Sequence, residues 1–496
     1  MKVLLVVPNF RWVNSDPNTL WHFLPYNLCL LAAMVRDIAE VEILDAHKLN
    51  LSQEGFKADI RQKSPDLVGI TVLMDEYGQA GHVAARLVKE VGDITTVFGG
   101  VYATTNPEQV MEDINVDYAV LGEGEHVFRA LIEGLNGGII YQGPGLCYRE
   151  GRKVINTGHS DFIKELDKLP APAYDLIDFS SYATSAERKS VDSPRAYPYA
   201  RVMTSRGCPF NCIFCQVKLI MGQRFRGRSA EKVLDEIQML KDNYGIKSLI
   251  FDDDNLLFNR NRAVALFQGM VKKGLAMPWV MIATAVFELD PELIKLMRAS
   301  GCEYIDVAIE TGTNRVMKDV IDKPVNFEYA KQMIKLARES GIYVAANFII
   351  GFPTETWDEI RQSLKKAEEI DASYVKIFSA IPLRNTRLWD MCVEGGYFKK
   401  GFDVSKVKWS TGQIETKDFS PDHLTILRAY EWDRINFSDR SKFECTCRMM
   451  DMTADEMNTT RKQTLANALQ LIRNGAINGL SDEVRTPELG RSTARA

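Results

Sequence analysis

The chain has 496 residues, 46% of them hydrophobic and 26% charged, the balance of a soluble globular protein too long for one ordinary core. A formal net charge of −5 gives no general electrostatic pull toward nucleic acid, and no run of about 18 apolar residues is present to form a membrane span. Nine cysteines without a segment resembling a secretory signal predict a reducing, cytoplasmic setting, where thiols bind metals or pack in cores.

The first predicted element is the apolar run 2–8, which suits a buried parallel strand. Strands follow at 41–45, 67–72, 96–100 and 118–122, with helical patterns at 26–38, 78–91 and 107–113 between them. This alternation predicts a doubly wound, Rossmann-like parallel sheet in a domain over 1–140, with its ligand beyond the carboxyl ends of the strands. Glycines stand at those ends, as Gly99-Gly100 and as Gly122-Glu123-Gly124-Glu125. Backbone there must turn sharply or lie close to a ligand, and the glycines alone fit either reading. No G-x-G-x-x-G follows the first strand, which argues against nicotinamide or flavin. His82 and His126 have no ligand motif around them and are expected on a helix face or the surface.

Between 141 and 197 the periodicity weakens and prolines accumulate, which predicts a linker. A second alternating series fills 198–395, with strands at 200–205, 248–252, 279–284, 304–310, 344–350 and 374–380 and amphipathic helices between them. Six β/α units predict a partial TIM-type (β/α)6 barrel with reactive groups at the carboxyl ends of its strands. After the first strand comes Cys208-x3-Cys212-x2-Cys215, a spacing that brings three thiolates to three corners of a cubane cluster and leaves the fourth iron open. Zinc would want a fourth ligand, and disulfides an oxidising compartment. Asp252-Asp253-Asp254-Asn255, Glu310-Thr311-Gly312 and Gly351-Phe352-Pro353 end later strands. Carboxylates so placed can accept charge-assisted hydrogen bonds from a ligand, although the acidic run alone fits a solvated helix N-terminus equally well.

After Gly395-Gly396 the alternation stops. Helical patterns near 421–436 and 453–473 predict a small, mainly helical domain over 396–475, lying over the barrel mouth and selecting substrate, followed by a disordered tail at 476–496. Arg428, Tyr430, Trp432, Arg434 and Phe437 could line such a mouth, but aromatics along a helix are more often packing. Cys445 and Cys447, without further ligands nearby, read as free thiols.

The cysteine loop, with Phe214 before its last cysteine, resembles the signature of the radical S-adenosylmethionine (SAM) enzymes. The resemblance implies a [4Fe–4S] cluster on Cys208, Cys212 and Cys215 whose open iron chelates the amino and carboxylate groups of SAM. Glu310-Thr311-Gly312 resembles the ribose motif of these enzymes, and Gly351 with Pro353 their segment beside the adenine. Asp253 and Asp254 stand where a polar motif meets the methionyl amino group, while Arg224, Arg226 and Arg228 face either SAM's carboxylate or solvent, at least two of them solvent. Phe98 to Thr104 resembles the "GGxxAT" loop, and Asp117 to Glu125 the "DY…GEGE" segment, of the cobalamin-binding domain that precedes the barrel in one subgroup. Gly99, Gly100, Thr104, Gly122 and Gly124 are then the implied cobalamin contacts, with no D-x-H-x-x-G histidine beneath the cobalt. Membership of this subgroup implies methyl transfer to an unactivated carbon of a small or medium organic metabolite, with an electron donor such as flavodoxin or ferredoxin. The alternatives are a ring-closing or rearranging enzyme like the anaerobic porphyrin cyclases and, in another class, a non-catalytic cobalamin or iron–sulfur sensor.

Overall fold

Residues 1–13, 24–182, 190–404, 407 and 411–473 are described by the computed structural model. The expected tail at 476–496 lies outside them. Alternating apolar runs and amphipathic helices give an N-terminal sheet of β1 (Lys2–Val7), β2 (Glu40–Asp45), β3 (Leu67–Thr71), β4 (Thr95–Gly99), β5 (Tyr118–Val120), β6 (Leu146–Glu150) and β7 (Lys153–Asn156). Its order is β2-β1-β3-β4-β5-β6-β7. The first five strands are parallel and buried on both faces, which explains the near-continuous apolar runs of β1 and β3.

The last two strands fall inside the stretch expected to be a linker. They form an antiparallel hairpin that extends the sheet beyond residue 140. Their sequence is short and charged and β7 is largely exposed, so it shows neither a buried-strand run nor a clean alternation.

The barrel strands are β8 (Tyr199–Val202), β11 (Ser248–Phe251), β12 (Trp279–Thr284), β13 (Cys302–Glu310), β14 (Tyr343–Ile350) and β15 (Tyr374–Ser379); a small ladder of β9 (Ser205–Arg206) with β10 (Arg226–Gly227) intervenes. All six barrel strands run parallel in the order β15-β14-β13-β12-β11-β8, an open partial barrel as expected. Side chains alternate across the wall. In β13, Ile305, Val307 and Ile309 enter the core beneath the outer helices, whereas Tyr304 turns into the lumen. Tyr199, Ile250, Val280, Tyr304, Ala345 and Tyr374, one from each strand, form an apolar floor. Above it lie two ion pairs, Arg201 with Asp252, and Lys376 Nζ with Asp306 at 2.8 Å.

Helices Pro421–Phe437, Arg440–Met450 and Ala454–Arg473 do not lie across the mouth. Phe437, Cys447, Met449 and Met457 join the floor residues, so these helices close the amino-terminal end of the barrel. Helix Pro421–Phe437 runs along the free edge of β15, from Leu424 near Gly351 to Asn436 on Val375. Trp432 Nε1 donates to Tyr374 Oη at 2.6 Å, Arg434 pairs with Glu368 and Glu431, and Tyr430 packs near Ala468, so packing is what this face does. The sequence marks these segments as helical but does not show the surface that receives them. Among the described residues no helix is long and apolar enough to cross a membrane.

Candidate active site

The cysteine loop leaves the sheet at β9 through a turn that only glycine fits. Gly207 has φ +83°, and an added Cβ would lie 2.5 Å from the carbonyl oxygen of Arg224 and 2.8 Å from that of Met221. Cys208 N then donates to Gly222 O (3.2 Å), Ile213 N to Ile321 O (3.3 Å), and Leu388 N to Ile213 O (3.0 Å), which pins the loop on three sides. Its thiols are unpaired. Cys215 Sγ accepts from Val217 N at 3.5 Å and Cys208 Sγ from Asn255 Nδ2 at 3.9 Å. Burial pushes the Cys212 thiol up to about 12 and the Cys215 thiol up to about 11; iron would displace those protons outright. A cubane takes its ligands at separate corners, so three soft donors on one loop with amide donors to sulfur fit a [4Fe–4S] cluster.

Around this loop gather the ends of β11, β13 and β14. Glu310 closes β13 in left-handed backbone, φ +71°, a strained position for a side chain of its size. Lys323 Nζ lies 2.6 Å from Glu310 Oε1, both side chains almost wholly buried. The same ammonium acts on the Cys208 and Cys212 thiols. No pattern in the sequence marks Lys323, which the chain brings back to the site just beyond a turn at Asp322 (φ +66°). Gly351 has φ +87°, and the amides of Gly351 and Phe352 both donate to Glu355 Oε2 (2.7 and 3.1 Å). Burial pushes the Glu355 carboxyl up to about 7. Its place four residues after a strand-ending glycine was a readable sign of a carboxylate that gathers loop amides. Pro353 is buried in the same turn, and Phe352 lies 6.1 Å, ring to ring, from Phe214 of the cysteine loop.

The acidic run after β11 is not a solvated helix start. Asp252 pairs with Arg201, and Asp253 is consumed by Thr204 N, Thr204 Oγ1 and Ser205 Oγ. Asp254 accepts from Gly207 N at 3.1 Å and is only half-buried, with its carboxyl pushed up to about 6 by burial. Of the two candidates for SAM's amino group, Asp254 is the one with an oxygen to spare. Asn255, the last residue of the same run, bridges Cys208 and Glu288. Arg224 is exposed, but Arg226 pairs with Glu123 and Arg228 with Glu236, so only one of the three arginines faces solvent. Buried acids on other elements hold the other two, and sequence spacing does not reveal them.

In the N-terminal domain the glycines divide their work. Gly100 (φ +93°) and Gly122 (φ +81°) shape turns, where a Cβ would strike Val72 O and the segment of His159 and Ser160 respectively. Gly124 opens a helix against Val120. Gly99 is different: an added Cβ would meet no protein atom within 4 Å. Thr104 Oγ1 donates to Gly100 O and accepts from Gly122 N, both at 2.9 Å, which ties the two loops together. A cavity of about 660 Å³ opens between Thr104–Gln109 and Glu112 of this domain and Leu219, Arg384 and Trp389 of the barrel. Open space at Gly99 and this interdomain cavity fit a flat, bulky cofactor such as a corrin. His82 is held by Asp113 and Tyr102, and His126 is exposed, so neither lies at a ligand position.

Comparison with known proteins agrees with this division. The radical SAM superfamily matches residues 202–367, and the B12 binding domain matches residues 21–132. An uncharacterized methyltransferase of Pyrococcus horikoshii is 33% identical over 397 residues, 79% of this chain and 83% of that one. The cytidylyl-2-hydroxyethylphosphonate methyltransferase of Streptomyces wedmorensis is 30% identical over 83% of this chain and 85% of its own. Among solved structures, the radical SAM methyltransferase TsrM from Kitasatospora setae, with cobalamin and a [4Fe–4S] cluster bound, superposes with a TM-score of 0.65 at 20% identity, over 88% of this chain and 82% of that one. It shares the fold. With similarity to such relatives over about four fifths of its length and both domains present, this chain belongs to the cobalamin-binding radical SAM enzymes.

Proposed function

We propose that this enzyme transfers a methyl group to an unactivated carbon of a small or medium organic metabolite. The observation behind the reading is one cavity lined both by Thr104, from the expected cobalamin loops, and by Leu219, four residues beyond Cys215. When bound, the cluster and SAM supply a radical able to take hydrogen from carbon, and cobalamin supplies the methyl group. The names of the two relatives above support methyl transfer.

On this reading Cys208, Cys212 and Cys215 hold the cluster, Asp254 receives SAM's ammonium, Glu310 its ribose hydroxyls, and the turn of Gly351 and Pro353 flanks the adenine. Asp253 keeps the strand end in shape for Asp254. Gly99, Gly100, Thr104, Gly122 and Gly124 form the cobalamin side, with Gly99 giving room and the others fixing the loops. An external one-electron donor such as flavodoxin or ferredoxin completes the system. A reducing cytoplasm suits nine cysteines that are all unpaired.

The test is to incubate the anaerobically reconstituted protein with methyl-labelled SAM, a strong reductant and extracts of its source cells. A compound labelled on carbon, formed together with 5′-deoxyadenosine, is the expected result. An unmethylated, cyclised product would favour ring closure instead. No SAM cleavage under any reductant would favour a sensor.

A further inference from the structure

The stretch Gly122-Glu123-Gly124-Glu125 closes a strand of the cobalamin-binding domain, yet its two carboxylates turn away from that domain's own loops and into the barrel domain. Glu125 meets the guanidinium of Arg206, and Glu123 receives Arg206 Nη1 at 3.3 Å and both Nη atoms of Arg226 at 2.7 and 2.8 Å. All four side chains are at least nine-tenths buried. Arg206 and Arg226 face each other across the ladder of β9 and β10. Arg206 is two residues from Cys208.

The network continues on both sides. Toward cobalamin, Gly122 N donates to Thr104 Oγ1, so Glu123 is one residue from the bond that joins the two glycine loops. Toward the cluster, Gly207 N donates to Asp254 Oδ2 and Cys208 N to Gly222 O. Arg226 also donates to Ile163 O and Met221 O, each at 2.6 Å, and Ile163 N donates to Glu123 Oε2 at 2.6 Å, which draws the connecting segment into the same knot. Two acids and two arginines buried together are costly to desolvate and would often be matched by apolar packing. What such a group supplies that apolar packing does not is fixed geometry, because the planar fork of a guanidinium donates well to a carboxylate only in narrow orientations.

We infer that Glu123, Glu125, Arg206 and Arg226 are positioning residues that set the distance and orientation between the cobalamin loops and the cluster loop. This rests on the two-cofactor reading above. The group acts as a rigid strut: a methyl carrier on one domain and a hydrogen-abstracting centre on the other must address the same substrate carbon, and a misplacement of about 1 Å costs on the order of a hundredfold in rate.

The variants Glu125→Gln and Arg206→Lys keep size and polarity but lose the charge or the planar fork. Pulsed dipolar EPR on protein carrying cob(II)alamin and the reduced cluster reads the separation of the two spins. The parent should show one narrow distance distribution and each variant one at least twice as wide. Equal widths in parent and variants would overturn the inference. Hydrogen exchange on the cofactor-free chain gives a second reading that survives loss of either cofactor and stands apart from the proposed activity. Amides of 205–215 and 122–125 should exchange at least tenfold faster in both variants, with the barrel floor unchanged. Unaltered exchange, or acceleration spread evenly over both domains, would refute the positioning role.

Discussion

Replacing Lys323 with methionine removes one half of its buried ion pair with Glu310. The partners are 2.6 Å apart, with side chains 7% and 6% exposed. At an effective dielectric constant of about 20 their attraction is about 6 kcal/mol, most of it offset by the cost of burying both charges. The methionine variant keeps that cost for Glu310 and loses the compensation, so it should be destabilised by about 3–5 kcal/mol. Adding Glu310→Gln removes the stranded charge, and the double variant should be more stable than Lys323→Met alone. Urea unfolding of the cluster-free chain, followed by the fluorescence of the seven tryptophans, including buried Trp279, and by circular dichroism, measures all four corners of the cycle. A loss under about 1 kcal/mol for Lys323→Met, or single effects that simply add, would refute the argument that the pair is a buried, mutually dependent unit.

Gly207→Ala should abolish cluster assembly, read by iron content and visible absorbance, because the added methyl meets the carbonyls of Arg224 and Met221; Gly245→Ala, with φ +62° and open space around it, should cost only about 1–2 kcal/mol and keep the cluster. Gly99→Leu should leave the melting temperature near the parent's while corrinoid uptake falls sharply, and undiminished uptake would remove the cofactor from that loop. The Glu355 carboxyl, raised from 4.5 to about 7 by burial, binds its proton more tightly in the folded state. Its contribution of about 3 kcal/mol is therefore complete below pH 4.5 and is lost as pH rises through about 7, so Glu355→Gln should flatten the decline in stability across that window.

Much of this architecture was legible because it depends on periodicity. The five parallel strands of the first domain and the six of the barrel announce themselves as apolar runs ended by Gly99, Gly122, Glu310 and Gly351. The proposed cluster loop is legible from the cysteine spacing alone. What stayed hidden depends on contacts between distant segments. Lys323 is an ordinary lysine until the chain folds it onto Glu310, and Arg226 is an ordinary surface cation until Glu123 arrives from the other domain. The hairpin of β6 and β7 escapes periodicity because both strands are short and β7, the edge of the sheet, is largely exposed. That Phe437, Cys447, Met449 and Met457 close the amino-terminal end of the barrel is not readable from a helical pattern, which names no partner surface.

Asn436 shows what that placement means for engineering. Its side-chain amide accepts from Val375 N and donates to Val375 O, at 2.8 and 2.9 Å, standing in for a missing seventh strand. A partial barrel has a raw margin, and unpaired margins recruit strands from other molecules. Helix Pro421–Phe437 is thus a selvedge that keeps the cloth from fraying. Cutting the chain before it, or exchanging it for a relative's segment that lacks an amide at this point, would produce a sticky protein rather than one with a new taste in substrates. A chimera meant to alter selectivity should keep residues 421–457 and vary the loops at the opposite end.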